Sequence, residues 1–434
     1  MNIVYIHTHD TGRYIQPYGH AVPTPNLQAL AEEGVLFRQA FSAAPTCSPS
    51  RTGLLTGMAP HSAGMIGLAQ RGFRLNDASR HLASYLASNG YETVLCGVQH
   101  EAPEAEVGQL GYTLNLAARN TGAGHAERDL QAARLAADYI RQADDRPFFA
   151  SVGFFNTHRH RTVFPATGHA VDDRYVLPPF PLYDHPANRT DMADFIASAA
   201  LVDQGVGIVV EALRESGRWD DTILLFTTDH GIAFPRMKCN LYDTGIGVSL
   251  LMHIPGVAKG QVVDALVSQL DLFPTLCELA ELERPSWLQG KSLLPLLNGG
   301  AAEVRGELFA EVTYHAAYEP MRCIRTPRYK LIRRFGAYDK HVMPNIDDGY
   351  GKRFLVEHGI RERRRSQEEL FDLFLDPVER ENLIGDPAYA AIEAELKAKL
   401  LAWMAETGDP LLETDEVPLP EGARTNGVDE LNPT

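Results

Sequence analysis

Cysteine is scarce and unpatterned in this chain: five in 434 residues, at Cys47, Cys96, Cys239, Cys277 and Cys323. An odd, scattered set of this kind argues against a disulfide framework. Positive charge is also short, with 40 Lys and Arg against 56 Asp and Glu and a formal net charge of −16. Such a balance disfavours non-specific attraction to nucleic acid or to an anionic membrane surface, so an anionic substrate needs a local basic patch. No run approaches the ~20 apolar residues of a membrane span, and internal repeats and low-complexity tracts are missing. Met1 leads directly into the apolar run Asn2 to Thr8, without the basic start, long apolar stretch and cleavage site of a signal peptide. The expectation is a cytoplasmic chain; one trimmed of a leader reads the same.

What is present is ordinary for a globular protein: 44% apolar and 22% charged residues. The length suits one large domain and a smaller one. Buried-strand patterns at Asn2 to His7, Val35 to Phe41, Glu92 to Cys96, Pro147 to Phe155, Thr222 to Thr227 and Ser249 to Ile254 alternate with helical spacing. Thr24-Pro25-Asn26 reads as a helix start with Thr24 as N-cap and Gly34 as the stop. Further helices are expected at His81 to Gly90, Ala126 to Ala143, Asp191 to Ser216 and Asp271 to Ala280. Beyond about residue 305 the strands shorten (Glu307 to Val312, Met321 to Arg325, Lys330 to Arg334), and a last helix spans Pro387 to Glu406. This predicts an α/β domain over 1–305, with a large mostly parallel sheet flanked by helices. A smaller antiparallel sheet plus helix follows over 306–434, with the end from Asp409 extended over the surface. Arg361 to Arg365 reads as a solvated charged face.

Four strands end in polar clusters: His7-Thr8-His9-Asp10, Gly97-Val98-Gln99-His100, Asn156-Thr157-His158-Arg159-His160 and Thr228-Asp229-His230-Gly231. The carboxyl ends of strands are where an open α/β sheet keeps its ligands. Carboxylates and neutral imidazoles both ligate divalent ions, so His9, Asp10, Asp229 and His230 are candidate metal ligands. Cys47 begins an apolar run that reads as a helix start, a setting that favours an anion. Taken alone, a free cysteine is more often a buried small hydrophobe.

Cys47-Ser48-Pro49-Ser50-Arg51 with Thr52-Gly53-Leu54-Leu55-Thr56-Gly57 resembles the sulfatase signature. Thr24-Pro25-Asn26-Leu27, Leu270 to Thr275 and Glu369 to Leu373 are further landmarks in the family's order, and Gly64 to Leu68, Val202 to Gly207 and Pro320 to Arg322 are most similar to its heparan N-sulfatase branch. The resemblance implies an alkaline phosphatase-like fold and a formylglycine made from Cys47 by a formylglycine-generating enzyme. It implies one divalent metal, usually calcium, at Asp10, Asp229, His230 and the modified Cys47. His9 replaces the family's first acid; two imidazoles suit manganese better than calcium. Arg51 would hold the aldehyde hydrate, His100 would take its proton during product release, and His158 and Lys238 would bind sulfate. The family's lysine in the Gly-Lys-x-His segment is replaced by Val98. Tyr314, His315, Tyr318 and Arg322 are candidates for the substrate pocket.

Three readings follow. The first is a sulfatase acting on a small anionic substrate, a sulfated saccharide, as ester or sulfamate. The second is a phosphonate monoester or phosphodiester hydrolase with the same nucleophile, which the lost lysine also fits. The third is a non-catalytic binding protein in which Cys47 stays a thiol.

Overall fold

The computed structural model describes residues 1–165, 170–414 and 416–433. Eight strands form the large sheet: β1 Asn2–Thr8, β2 Val35–Phe41, β3 Glu92–Gly97, β4 Leu114–Asn115, β5 Phe148–Gly153, β6 Thr222–Thr228, β7 Leu250–His253 and β8 Gln261–Ser268. Their order is β4-β3-β5-β1-β6-β7-β2-β8. β1 pairs in parallel with both β5 and β6, and β3 with β4 and β5. β7 runs antiparallel to β6 and β2, and β2 is again parallel to β8. The sheet is therefore mostly parallel, as expected.

Alternation along the strands builds two cores. Ile3, Tyr5, Phe37, Phe149 and Leu225 face one side, against Leu54 and Leu55 of the Cys47–Thr56 helix and Phe273 and Leu276 of the Leu272–Leu279 helix. Val4, Ile6, Ala150, Val152 and Phe226 face the other. There they meet the Pro25–Glu33, His125–Gln142 and Pro186–Glu215 helices through Leu27, Ala136 and Val206. Pro186–Glu215 is long and apolar enough, by composition, to cross a membrane, but most of its apolar window is buried against the sheet. It begins five residues before the expected Asp191, because His185 Nδ1 accepts from Ala187 N–H and Pro186 occupies the first position.

A second sheet of β9 Leu308–Tyr314, β10 Tyr318–Arg325, β11 Tyr329–Arg334 and β12 Glu368–Asp372 is antiparallel throughout, in the order β12-β11-β10-β9. The Ala390–Thr407 helix covers one face through Leu396, Leu400 and Met404. The other face packs on the large domain, with Val312, Met321 and Ile332 against Phe41, Tyr242 and Leu266.

Three local expectations are corrected. Thr24 precedes its helix but its hydroxyl accepts from Gln16 N–H; Asp203 of the long helix caps instead, taking the N–H groups of Asn26 (3.1 Å) and Leu27 (2.8 Å). The tail is extended but not merely superficial. Asp409 is buried beneath Arg322, Tyr314 Oη donates to Val417 O, and Asn426 N–H donates to Ala316 O. Asp415 and Thr434 of that tail lie outside the described residues. In the Arg361 to Arg365 run, Arg365 turns inward to pair with Glu319, so the solvated face stops one residue short.

Candidate active site

The carboxyl ends of β1, β3, β5 and β6 converge on the helix that begins at Cys47. β1 runs out into His9 and Asp10, and β6 into Asp229 and His230, both pairs buried. Asp10 has φ 52°, in the left-handed region that Asp enters more readily than most residues. That turn aims its N–H at Asp229 Oδ1, 2.8 Å away, and leaves Asp10 Oδ1 buried without a hydrogen-bond partner. Ligand atoms of His9, Asp10, Cys47 and Asp229 lie within 4.8 Å of one another.

His230 sits against this group. Its Nδ1 donates to Gly231 O at 2.9 Å, and its Nε2 lies 3.4 Å from Asp10 Oδ1, 3.7 Å from Asp229 Oδ2 and 3.5 Å from Cys47 Sγ. Asp10 and Asp229 bring two buried carboxylates to one place, and the negative charge they gather is what a divalent cation offsets. His9 Nδ1 lies 3.2 Å from Asp229 Oδ2 while Nε2 has no partner, and burial, followed by the charge of Arg51, pushes its pKa well below the usual value, leaving the neutral ligand form. Buried, unpartnered donor atoms gathered at one place fit a divalent ion.

Arg51 fastens the helix beneath the site. Its Nη2 donates to Thr8 O (2.7 Å) and Asp229 Oδ2 (2.9 Å), and Nη1 to His7 Nδ1 (2.5 Å), whose Nε2 in turn meets Ser151 Oγ at 3.1 Å. Burial alone would raise the Asp229 carboxyl, yet His230, Arg51 and His9 hold it well below the usual carboxylate range. The Cys47 thiol goes the other way: burial pushes it well above its ordinary value despite Lys238 and Arg51. As a thiol it stays protonated, a weak nucleophile.

Two glycines admit the β3 exit loop. A Cβ on Gly97 (φ 88°) would meet Gly153 O at 2.1 Å, and one on Gly153 would meet Val98 O at 1.9 Å. This close crossing sets His100 against His9, ring centroids 4.5 Å apart, with a ring nitrogen of each and Cys47 Sγ within 4.8 Å of one another. His100 Nδ1 is unpartnered, and burial followed by Arg51 lowers its pKa to about 3, so it is a neutral base. Opposite, Lys238 Nζ lies 2.9 Å from Asp10 Oδ2 and 3.2 Å from His158 Nε2. A cleft of about 460 Å³ opens beside His100, lined by Gln70, Val98, Gln99, Asn120 and Arg128 among others.

The nine catalytic and metal residues expected from the sequence (His9, Asp10, Cys47, Arg51, His100, His158, Asp229, His230, Lys238) thus come together. The four substrate candidates divide. His315 is buried with Nδ1 unpartnered and feels Lys238 and His230. Arg322 is corrected to a structural role, because Asp409, Val312 O, Thr313 Oγ1 and Met321 O take its donors and none of its side chain is exposed. Tyr314 and Tyr318 are likewise committed to the tail, through Val417 O and Val417 N–H respectively. Two residues were missed. His7 carried a signal, since it belongs to the polar cluster at the end of β1. Asp347, 2.9 Å from Lys238 Nζ, lies in an irregular loop where an Asp-Asp pair reads as solvated surface.

The sulfatase family model matches residues 1–282, and the model for the C-terminal part of N-sulphoglucosamine sulphohydrolase matches residues 230–348. Human N-sulphoglucosamine sulphohydrolase is 32% identical, covering 90% of this chain and 87% of its own. Among solved structures, a 2-O GAG sulfatase superposes with a TM-score of 0.72 at 23% identity, covering 95% of this chain and 94% of its own. A phosphonate monoester hydrolase from Silicibacter pomeroyi superposes with a TM-score of 0.69 at 21% identity, covering 98% and 99%. With its signature cysteine at the head of the buried helix and the acidic and histidine pairs around it, the chain belongs to the sulfatase family of sulfuric ester hydrolases.

Proposed function

We propose that the protein hydrolyses the sulfate ester or sulfamate of a sulfated sugar, using a formylglycine made from Cys47 and one divalent ion. The observation that carries this reading is the convergence of ligand atoms of His9, Asp10, Cys47 and Asp229 within 4.8 Å of one another, with His100 belonging both to this neighbourhood and to the wall of the adjoining cleft. Human N-sulphoglucosamine sulphohydrolase, at 32% identity, supports a sulfated sugar as the substrate class.

His9, Asp10, Asp229, His230 and the modified Cys47 would hold the ion, and two imidazoles in that set favour manganese over calcium. When bound, the ion and the hydrated aldehyde supply an acidified hydroxyl for attack on sulfur. The chain's own residues do the rest. Arg51, locked by three bonds, fixes the Cys47 end of the helix. Lys238 and His158 face the space where sulfuryl oxygens gain charge, and one of them protonates the departing oxygen or nitrogen. His100, neutral and unpartnered at Nδ1, takes the proton whose removal lets sulfate leave.

The uncharged Val98 lining the cleft favours one competing reading, a phosphonate monoester or phosphodiester hydrolase. Turnover of sulfated monosaccharides, aryl sulfates and aryl phosphonates, measured with calcium and then with manganese after coexpression with a formylglycine-generating enzyme, separates them. The proposal expects sulfated sugars to lead by kcat/KM; a lead by aryl phosphonates overturns it.

A further inference from the structure

Lys238 Nζ carries three protons and is closely surrounded. It donates to Asp10 Oδ2 at 2.9 Å and to His158 Nε2 at 3.2 Å, and it forms an ion pair with Asp347, whose Oδ2 lies 2.9 Å away, buried and without a hydrogen bond of its own. His158 Nε2 is an acceptor because Nδ1–H donates to Arg159 O at 2.5 Å. Both terminal nitrogens of Arg51 are committed, to His7, Thr8 and Asp229. Lys238 must therefore exchange a partner when a sulfuryl oxygen arrives.

The partner best placed to yield is Asp347. The Asp10 side chain is 0% exposed, whereas that of Asp347 is 18% exposed. Asp347 also arrives from the smaller domain, on a loop pinned by Asn345, whose Oδ1 accepts Ala317 N–H (2.8 Å) and whose Nδ2 donates to Glu319 (2.9 Å). That pinning keeps the carboxylate facing the site after the exchange. A carboxylate beside a bound anion is repulsive unless the ligand itself brings a hydrogen-bond donor.

We propose that Asp347 is a specificity-determining residue: it pairs with the Lys238 ammonium until the sulfuryl group replaces it there, then accepts a hydrogen bond from a hydroxyl or N–H next to that group. The inference rests on the sulfatase reading above and narrows its substrate class to sulfate esters and sulfamates with a neighbouring donor. Aryl sulfates, which lack one, gain nothing from Asp347.

The test compares the full-length, matured wild type with Asp347→Asn and Asp347→Glu on N-sulfoglucosamine, which has adjacent donors, and p-nitrophenyl sulfate, which has none. For Asp347→Asn, kcat/KM on the sugar should fall roughly 30-fold, chiefly through KM, with little loss on the aryl ester. Asp347→Glu should recover part of the sugar activity. Calorimetry with inorganic sulfate as the probe should show about tenfold tighter binding to Asp347→Asn, because Lys238 is no longer held by a competing carboxylate. Parallel losses on both substrates, or unchanged sulfate affinity, overturn the inference. A wild type that hydrolyses neither compound overturns the functional reading instead, while sulfate binding still reads the exchange.

Discussion

A thiol sealed at the head of a helix, with burial pushing its pKa up, is chemically quiet. Cys47 therefore makes sense as a precursor more than as a nucleophile. Cys47→Ala should abolish turnover by at least ~1,000-fold while leaving the melting transition nearly in place. Arg322 makes the contrasting case. With Asp409 buried against it, Arg322→Ala strands that carboxylate and should cost about 3–5 kcal/mol in chemical unfolding. Folded Arg322→Ala protein should keep its KM, because the side chain does not reach the cleft.

At the scale of elements, the His81 cap of the Leu82–Ser88 helix is informative. His81 Nδ1 accepts from Ala83 N–H at 3.1 Å, and burial lowers its pKa to about 3. Its folded pKa lies below the ordinary 6.5, so the stability it contributes is present above about pH 6.5 and is lost as pH falls from there towards 3. At pH 5 the loss should be about 2 kcal/mol. His81→Asn keeps a capping oxygen and should flatten that part of the profile, read from urea midpoints at pH 7.5 and pH 5 in a buffer series.

The same scale explains what the sequence made legible. β1, β3, β5 and β6 were readable because each is a short apolar run closed by polar or Gly-rich residues and buried on both faces, and β2 because apolar residues flank its Arg38-Gln39 pair. β8 was not, because its first half alternates with exposed residues on the sheet edge; nor was β4, with two residues. The site was readable where chemistry sits directly after a strand, as at Asp10, His100 and Asp229. Arg322 misled because residue type does not say which face of β10 it occupies. Asp347 was hidden because a pairing with Lys238 across 109 positions leaves no local pattern.

At the scale of the molecule, the two sheets share one buried interface, and the tail returns to brace it through Asp409, Val417 and Asn426. Removing residues 409–434 should therefore destabilise the protein by at least the ~3–5 kcal/mol expected for Arg322→Ala. It should also raise KM on sugar substrates, since the β9 to β10 turn carrying His315 loses the Asn426 contact. A truncated protein with an unchanged unfolding midpoint would show the tail to be dispensable.

The central claim is a sulfatase whose nucleophile is made from Cys47, and mass spectrometry of the peptide carrying that residue tests it most directly. Active protein coexpressed with a formylglycine-generating enzyme should yield the aldehyde or its hydrate at Cys47, in proportion to its sulfate-releasing activity. Full activity with an intact thiol at Cys47 would contradict the account.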